Sequence, residues 1–181
     1  MKFAIAAAVA LSLMGAAHAQ DGKVKIGVLN DQSSSFSAIG GAEVVAAVKT
    51  AVADFGGEVL GKPIEVVSAD HQNKPEVALA IARQWLEQDQ VDVVVDVANS
   101  AVALSVNTLL GEKKKIGLFV SPLTDRMTEE NCNGYGIAWA YDAYSVARSS
   151  VHAQMEQGGG TWYVISPDYE GGKVLENTVK T

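Results

Sequence analysis

Cysteine is nearly missing: Cys132 is the only one in 181 residues. No disulfide can form within the chain, and no Cys-rich zinc site can be built from it. Cys132 either pairs with a cysteine beyond residue 181 or stays a free, buried thiol behaving as a small hydrophobe. Positive charge is also scarce, with 14 Lys and Arg against 21 Asp and Glu, and its largest cluster is Lys113-Lys114-Lys115. That balance argues against nucleic acid as a partner. The first strand-end loop lacks G-x-G-x-x-G, and G-x-x-x-x-G-K-[ST], G-x-S-x-G and H-E-x-x-H occur nowhere. A nucleotide cradle, a serine-hydrolase elbow and a zincin site are thereby disfavoured, and nothing in the sequence requires a cofactor. The longest apolar run, residues 3–14, is shorter than the roughly 20 residues that a membrane-crossing helix needs.

That run has another use. Lys2 precedes it and Ala17-His18-Ala19 follows as a small-x-small site, the pattern of a secretory signal peptide over residues 1–19, with cleavage before Gln20. Cleavage removes Lys2, the only charge in the segment, and moves the formal net charge from −7 to −8. The expected product is a soluble, exported protein of about one ordinary domain, or one domain and part of another.

From Val24 onward, short β-rich runs alternate with helix-patterned segments, which predicts an α/β fold with a doubly wound parallel sheet. Strands are expected over 24–29, 64–69, 92–97, 116–120 and 161–165, mostly as continuous apolar runs covered on both faces. The first helix should carry Val44, Val45, Val48, Val52 and Phe55 on its packed stripe and end at Gly56-Gly57. A second, opening near Pro75, aligns Ala78, Ile81, Ala82 and Trp85. A third, capped by Asn99 or Ser100, buries Val102, Val106, Leu109 and Leu110. Residues 121–136 read as a long loop, followed by a strand-like 135–140, a helix over 142–157 and another from about Glu170. Residues 20–140 thus form one lobe, and 141–181 the incomplete start of a second, so the natural protein is expected to be longer.

Ligands of open α/β sheets bind at the carboxyl ends of the strands. The loops there are rich in hydroxyls, amides and aromatics. Ser33 and Ser35 can hydrogen-bond a solute while Phe36 forms an apolar wall, although Phe36 could equally enter the core. Asn99 and Ser100 at a helix N-terminus suit an anionic group, and capping alone also accounts for them. Asp31, Asp70 and Asp96 fall at or near strand ends and could hold a divalent metal, or be solvated and capping acids. His71 and His152 have no metal-ligand spacing.

Over essentially the whole segment after residue 19 the chain resembles the Leu/Ile/Val-binding-protein branch of the type I periplasmic solute-binding proteins. The stretches that carry this are "VKIGVLNDQS", "FGGEVLGKPIEVVSADHQNKPEVALAIARQWL", "VDVVVDVANS", "CNGYGIAWAYDAYS" and "TWYVISPDYEGG", in that order. The resemblance implies two α/β lobes that close on a small solute and deliver it to the permease of an ABC importer, without catalysis. It puts Asn99 and Ser100 in a Ser/Thr-rich binding loop, Ser121 and Thr124 in the loop after the fourth strand, and Tyr169 as the aromatic closed over the ligand from the second lobe. The sequence departs from the family at Ser33-Ser34, where Ser-Gly is common, and at Ser121-Pro122-Leu123-Thr124, where Pro122 removes a backbone donor. The wording "NDQS" and "ADHQNKP" resembles a branch linked to aromatic or other organic acids; branched-chain amino acids are the other class. The ligand-sensing domain of a receptor and a metal-assisted hydrolase at Asp31, Asp70 and Asp96 are the competing readings.

Overall fold

A computed structural model describes residues 22–181; the expected signal peptide lies outside the described residues. The strands are β1 (Val24–Asn30), β2 (Glu58–Val59), β3 (Lys62–Asp70), β4 (Val93–Asp96), β5 (Ile116–Phe119) and β6 (Gly136–Ala138). The helices are α1 (Ser37–Phe55), α2 (Pro75–Glu87), α3 (Ser100–Lys113), α4 (Ala143–Glu156) and α5 (Glu170–Lys180), with a 3-10 turn at Asp125–Met127. One six-stranded sheet runs β2-β3-β1-β4-β5-β6. All pairings are parallel except β2 with β3. The order reverses between β1 and β4, and right-handed crossovers then place α1 on one face and α2 and α3 on the other. This is the doubly wound lobe that the alternation predicts.

The core lies between the sheet and α2 and α3: Ala78, Ala82 and Trp85 of one helix and Val102, Val106, Leu109 and Leu110 of the other meet Leu29, Val94 and Phe119. Trp85 lies so close over β1 that a Cβ on Gly27 would stand 2.5 Å from its ring, which fixes glycine at that position. The apolar face expected of α2 is the face it buries, with Ile81 half-buried. Asn99 is the N-cap of α3, its Oδ1 accepting from Val102 N at 3.1 Å.

Four expectations require correction. Residues 161–165 form no strand, and Ile165 is 98% exposed; a strand exists only through hydrogen bonds to a neighbour, and no described strand lies beside this segment. Phe55 does not join the packed stripe of α1: Val45 is buried, Val44, Val48 and Val52 are half-buried, and Phe55, the last residue of the helix, is 67% exposed. Cys132 is an exposed free thiol and not a core residue. The loop from 121 to 136 contains the 3-10 turn, whose Met127 is buried in the core cluster. Among the described residues no helix is long and apolar enough to cross a membrane.

Candidate functional site at the strand ends

The carboxyl ends of β1, β3, β4 and β5 bring the loops at residues 31–36, 71–74, 97–99 and 120–124 to one edge. Their own side chains hold them there. Asp31, almost fully buried, accepts from Ser34 N at 2.9 Å, Ser34 Oγ at 2.5 Å and Phe36 N at 2.8 Å, and so shapes the turn that aims Phe36. Burial pushes the Asp31 carboxyl up, but the bonds from the Ser34 hydroxyl and from the Phe36, Ser34 and Ser33 amides outweigh it and hold the acid below its ordinary range. Asp70 ties the first loop to the second, accepting Gln32 N at 3.0 Å, Ser33 Oγ at 2.5 Å and Gln72 N at 2.8 Å. Its pKa is lowered too, these bonds and His71 outweighing the effect of burial. Both acids are spent on loop geometry, and among the described residues no group of three or more His, Cys, Asp or Glu is placed to hold a metal ion.

Asn73 joins the next pieces. It adopts the left-handed backbone at φ 57°, which asparagine tolerates, and its amide N donates to His71 Nδ1 at 3.0 Å. Its Oδ1 accepts from Asn99 Nδ2 at 2.7 Å, and its Nδ2 donates to Ser35 Oγ at 3.2 Å. A relay Ser35–Asn73–Asn99 therefore crosses three loops. His71 itself is buried; desolvation lowers its pKa despite Asp31 and Asp70 nearby, so the ring is neutral at physiological pH.

Asp96 behaves differently. It is 2% exposed, and its Oδ2 has no hydrogen-bond partner among the described residues. Burial raises its pKa to about 6, and the neighbouring Asn30 side chain offsets only part of that. Asn30 meanwhile donates from Nδ2 to Gly40 O at 2.5 Å and Gly41 O at 2.7 Å, pinning α1 at the kink where Gly41 leaves helical geometry.

The fourth loop arrives through Ser100, fully buried, whose Oγ accepts from Leu123 N at 3.1 Å. Thr124, also buried, caps the 3-10 turn, its Oγ1 accepting from Arg126 N at 3.4 Å, while Ser121 is half-buried at the end of β5. Across from them, the residue before α5 reaches over: Tyr169 meets Phe36 edge to face, with ring centroids 5.3 Å apart and planes at 74°. A Cβ on Gly171 would stand 2.7 Å from Ser100 Oγ, so only glycine lets α5 approach so closely. Burial raises the Tyr169 pKa, with Tyr141 adding to the shift. Of the residues predicted from sequence, Phe36 and Tyr169 touch; Ser35 and Asn99 are linked through Asn73; Ser100 is bonded to the 121–124 loop that contains Ser121 and Thr124. Ser33 points instead at Asp70. The larger cavities open elsewhere, one of 540 Å³ among Val151, Met155, Trp162, Tyr163, Val164 and Val179.

A family profile for periplasmic binding proteins matches residues 23–181. The chain belongs to the periplasmic binding protein family. Among solved structures, a periplasmic binding protein from Burkholderia mallei shares 44% identity at a TM-score of 0.84, the match covering 87% of this chain and 42% of that one. A branched chain amino acid ABC transporter periplasmic ligand-binding protein from Burkholderia xenovorans LB400 shares 40% identity at a TM-score of 0.78, with the same coverages. An ABC transporter solute binding protein from Rhodopseudomonas palustris BisB5, in complex with 3,4-dihydroxybenzoic acid, aligns at a TM-score of 0.80 over 88% of this chain and 43% of that one, at 19% identity, where the likeness is one of fold. The chain spans less than half the length of these structures. No curated protein matches the sequence.

The sheet order and its helices are those of a type I periplasmic-binding-protein lobe. Two participants at the strand edge of this periplasmic binding protein escaped sequence reasoning. Asn73 carries only a faint signal, an amide in a turn just before Pro75. Arg126 carries less: a lone cation near Glu129-Glu130, whose partner Glu170 lies 44 residues away.

Proposed function

We propose that the protein is the exported solute-binding component of an ABC importer, capturing a small organic solute between the strand-end loops and the segment opening at residue 141. Residues 20–140 are the first lobe, 141–181 begin the second, and the remainder of that lobe corresponds to the part of the solved relatives that the chain does not cover. The observation that supports this most is the Phe36–Tyr169 contact: an aromatic 133 residues downstream sits on the first strand-end loop. Asn99, Ser100, Ser121, Thr124 and Ser35 supply donors and acceptors behind that aromatic gate. Ser33, held by Asp70, keeps the loop in place. Helix α3 presents its N-terminus to the same space, which suits a carboxylate. Acids with an aromatic or branched apolar body fit this combination. The transport role of the 40%-identical relative supports delivery to permease subunits in the inner membrane and a periplasmic location. The signal peptide over residues 1–19 is the export route.

Thermal shift against leucine, valine, benzoate and 4-hydroxybenzoate tests this reading. Saturation at about 100 times Kd stabilises the folded state by about 2.7 kcal/mol. For a protein of this size that corresponds to a rise in Tm of roughly 5–10 °C. The rise should vanish in Phe36→Ala and in Tyr169→Ala; a rise that survives both would move the solute away from this edge.

A further inference from the structure

We propose that Arg126 is a positioning residue: it docks the start of α5, and with it Tyr169, onto the strand-end loops, drawing on a guanidinium that it shares between Glu170 and Glu130. Its role in capture rests on the solute-binding reading; the docking itself does not. Arg126 Nη1 donates to Glu170 Oε1 at 2.8 Å, and Nε donates to Glu130 Oε1 at 2.5 Å. Glu130 belongs to the same loop, whereas Glu170 is the first residue of α5. The turn carrying Arg126 is itself fixed, capped by Thr124, anchored in the core by Met127 and closed by Asn131 N donating to Arg126 O at 2.8 Å.

Residues 169, 170 and 171 each touch a different part of the first lobe: Tyr169 meets Phe36, Glu170 meets Arg126, and Gly171 packs on Ser100. Of these three contacts only the middle one is ionic, so it alone attracts before the surfaces meet. The forked guanidinium can serve two carboxylates at once. When α5 moves away, Glu130 still neutralises Arg126, and the Glu170 carboxylate is left to water, which it already meets in the docked state. That arrangement makes docking reversible.

Hydrogen exchange followed by mass spectrometry on the full chain, without solute, reads the docking through the amides of residues 173–180. Arg126→Gln and Glu170→Gln should each speed exchange there by about two- to fivefold, the range of a partly exposed ion pair. Glu130→Gln should not speed it, because Arg126 is then left to Glu170 alone. Exchange in α2 (Pro75–Glu87) should stay unchanged in all three, showing an intact core. Salt at about 1 M should shrink the differences. Unchanged exchange in both Arg126→Gln and Glu170→Gln would overturn the proposal. So would a Glu130→Gln effect as large as that of Arg126→Gln, since Arg126 would then serve only its own loop. Because no solute is present, a failed solute titration and a failed docking test can be told apart.

Discussion

Replacing Asp96 by asparagine should stabilise the protein at neutral pH and do little in acid. The carboxyl is 2% exposed, Oδ2 has no hydrogen-bond partner among the described residues, and burial lifts its pKa from 3.8 to about 6. A folded-state pKa above the unfolded one means that the folded protein prefers the protonated acid. The associated stability is fully present below about pH 3.8 and is lost as pH rises through about 6. That rise corresponds to about 3 kcal/mol, each tenfold change in proton affinity being worth about 1.36 kcal/mol. Asparagine keeps the shape, cannot ionise and tolerates the φ of 85° found at this position. Urea unfolding of both proteins from pH 4 to pH 8 gives the difference directly, with every other titrating group cancelling. The gain from Asp96→Asn should grow from about 0.5 kcal/mol at pH 4 to about 3 kcal/mol at pH 8. A difference that stays flat across that range would refute the buried-acid reasoning.

Other outcomes follow from the same geometry. Thr124→Ala and Asn99→Ala should each weaken solute binding by about 1–3 kcal/mol in calorimetry, the cost of leaving buried polar partners unpaired. Asn73→Ala should cost affinity as well, by freeing Ser35 and Asn99 from one relay; affinity equal to wild type would make that relay purely structural. Gly27→Ala should lower the unfolding free energy by about 1–3 kcal/mol, because the new Cβ overlaps the Trp85 ring and the core must shift. Mass spectrometry of the exported protein should find Gln20 at its N-terminus; recovery of intact Met1 from the periplasmic fraction would remove the signal-peptide reading.

Much of the first lobe was legible because its signals are local. Ala78, Ala82 and Trp85 repeat at helical spacing, Asn99 precedes an apolar helix, and Val93, Val94 and Val95 form a run that only a strand covered on both faces accommodates. The errors arose where the outcome depends on distant neighbours. Residues 161–165 have strand composition, but composition does not supply a pairing partner. Phe55 continues the stripe of α1 in sequence, yet as the last residue of the helix it is left exposed. At the site, residue types pointed to hydroxyls and aromatics, yet nothing local shows that Ser33 serves Asp70, or that Asn73 reaches Asn99 across 26 residues. Those links exist only once parallel strands have brought their ends to one edge.

The central claim is that solute is held between two lobes, with Tyr169 as part of the second wall. Isothermal titration with the acids and amino acids of the panel, run side by side on the 181-residue chain and on a protein carrying both lobes, tests it most directly. The account predicts binding by the two-lobed protein, abolished by Tyr169→Ala and at least about 100-fold weaker in the 181-residue chain, which spans less than half the length of its solved relatives. Equal affinity in the two would contradict capture by lobe closure.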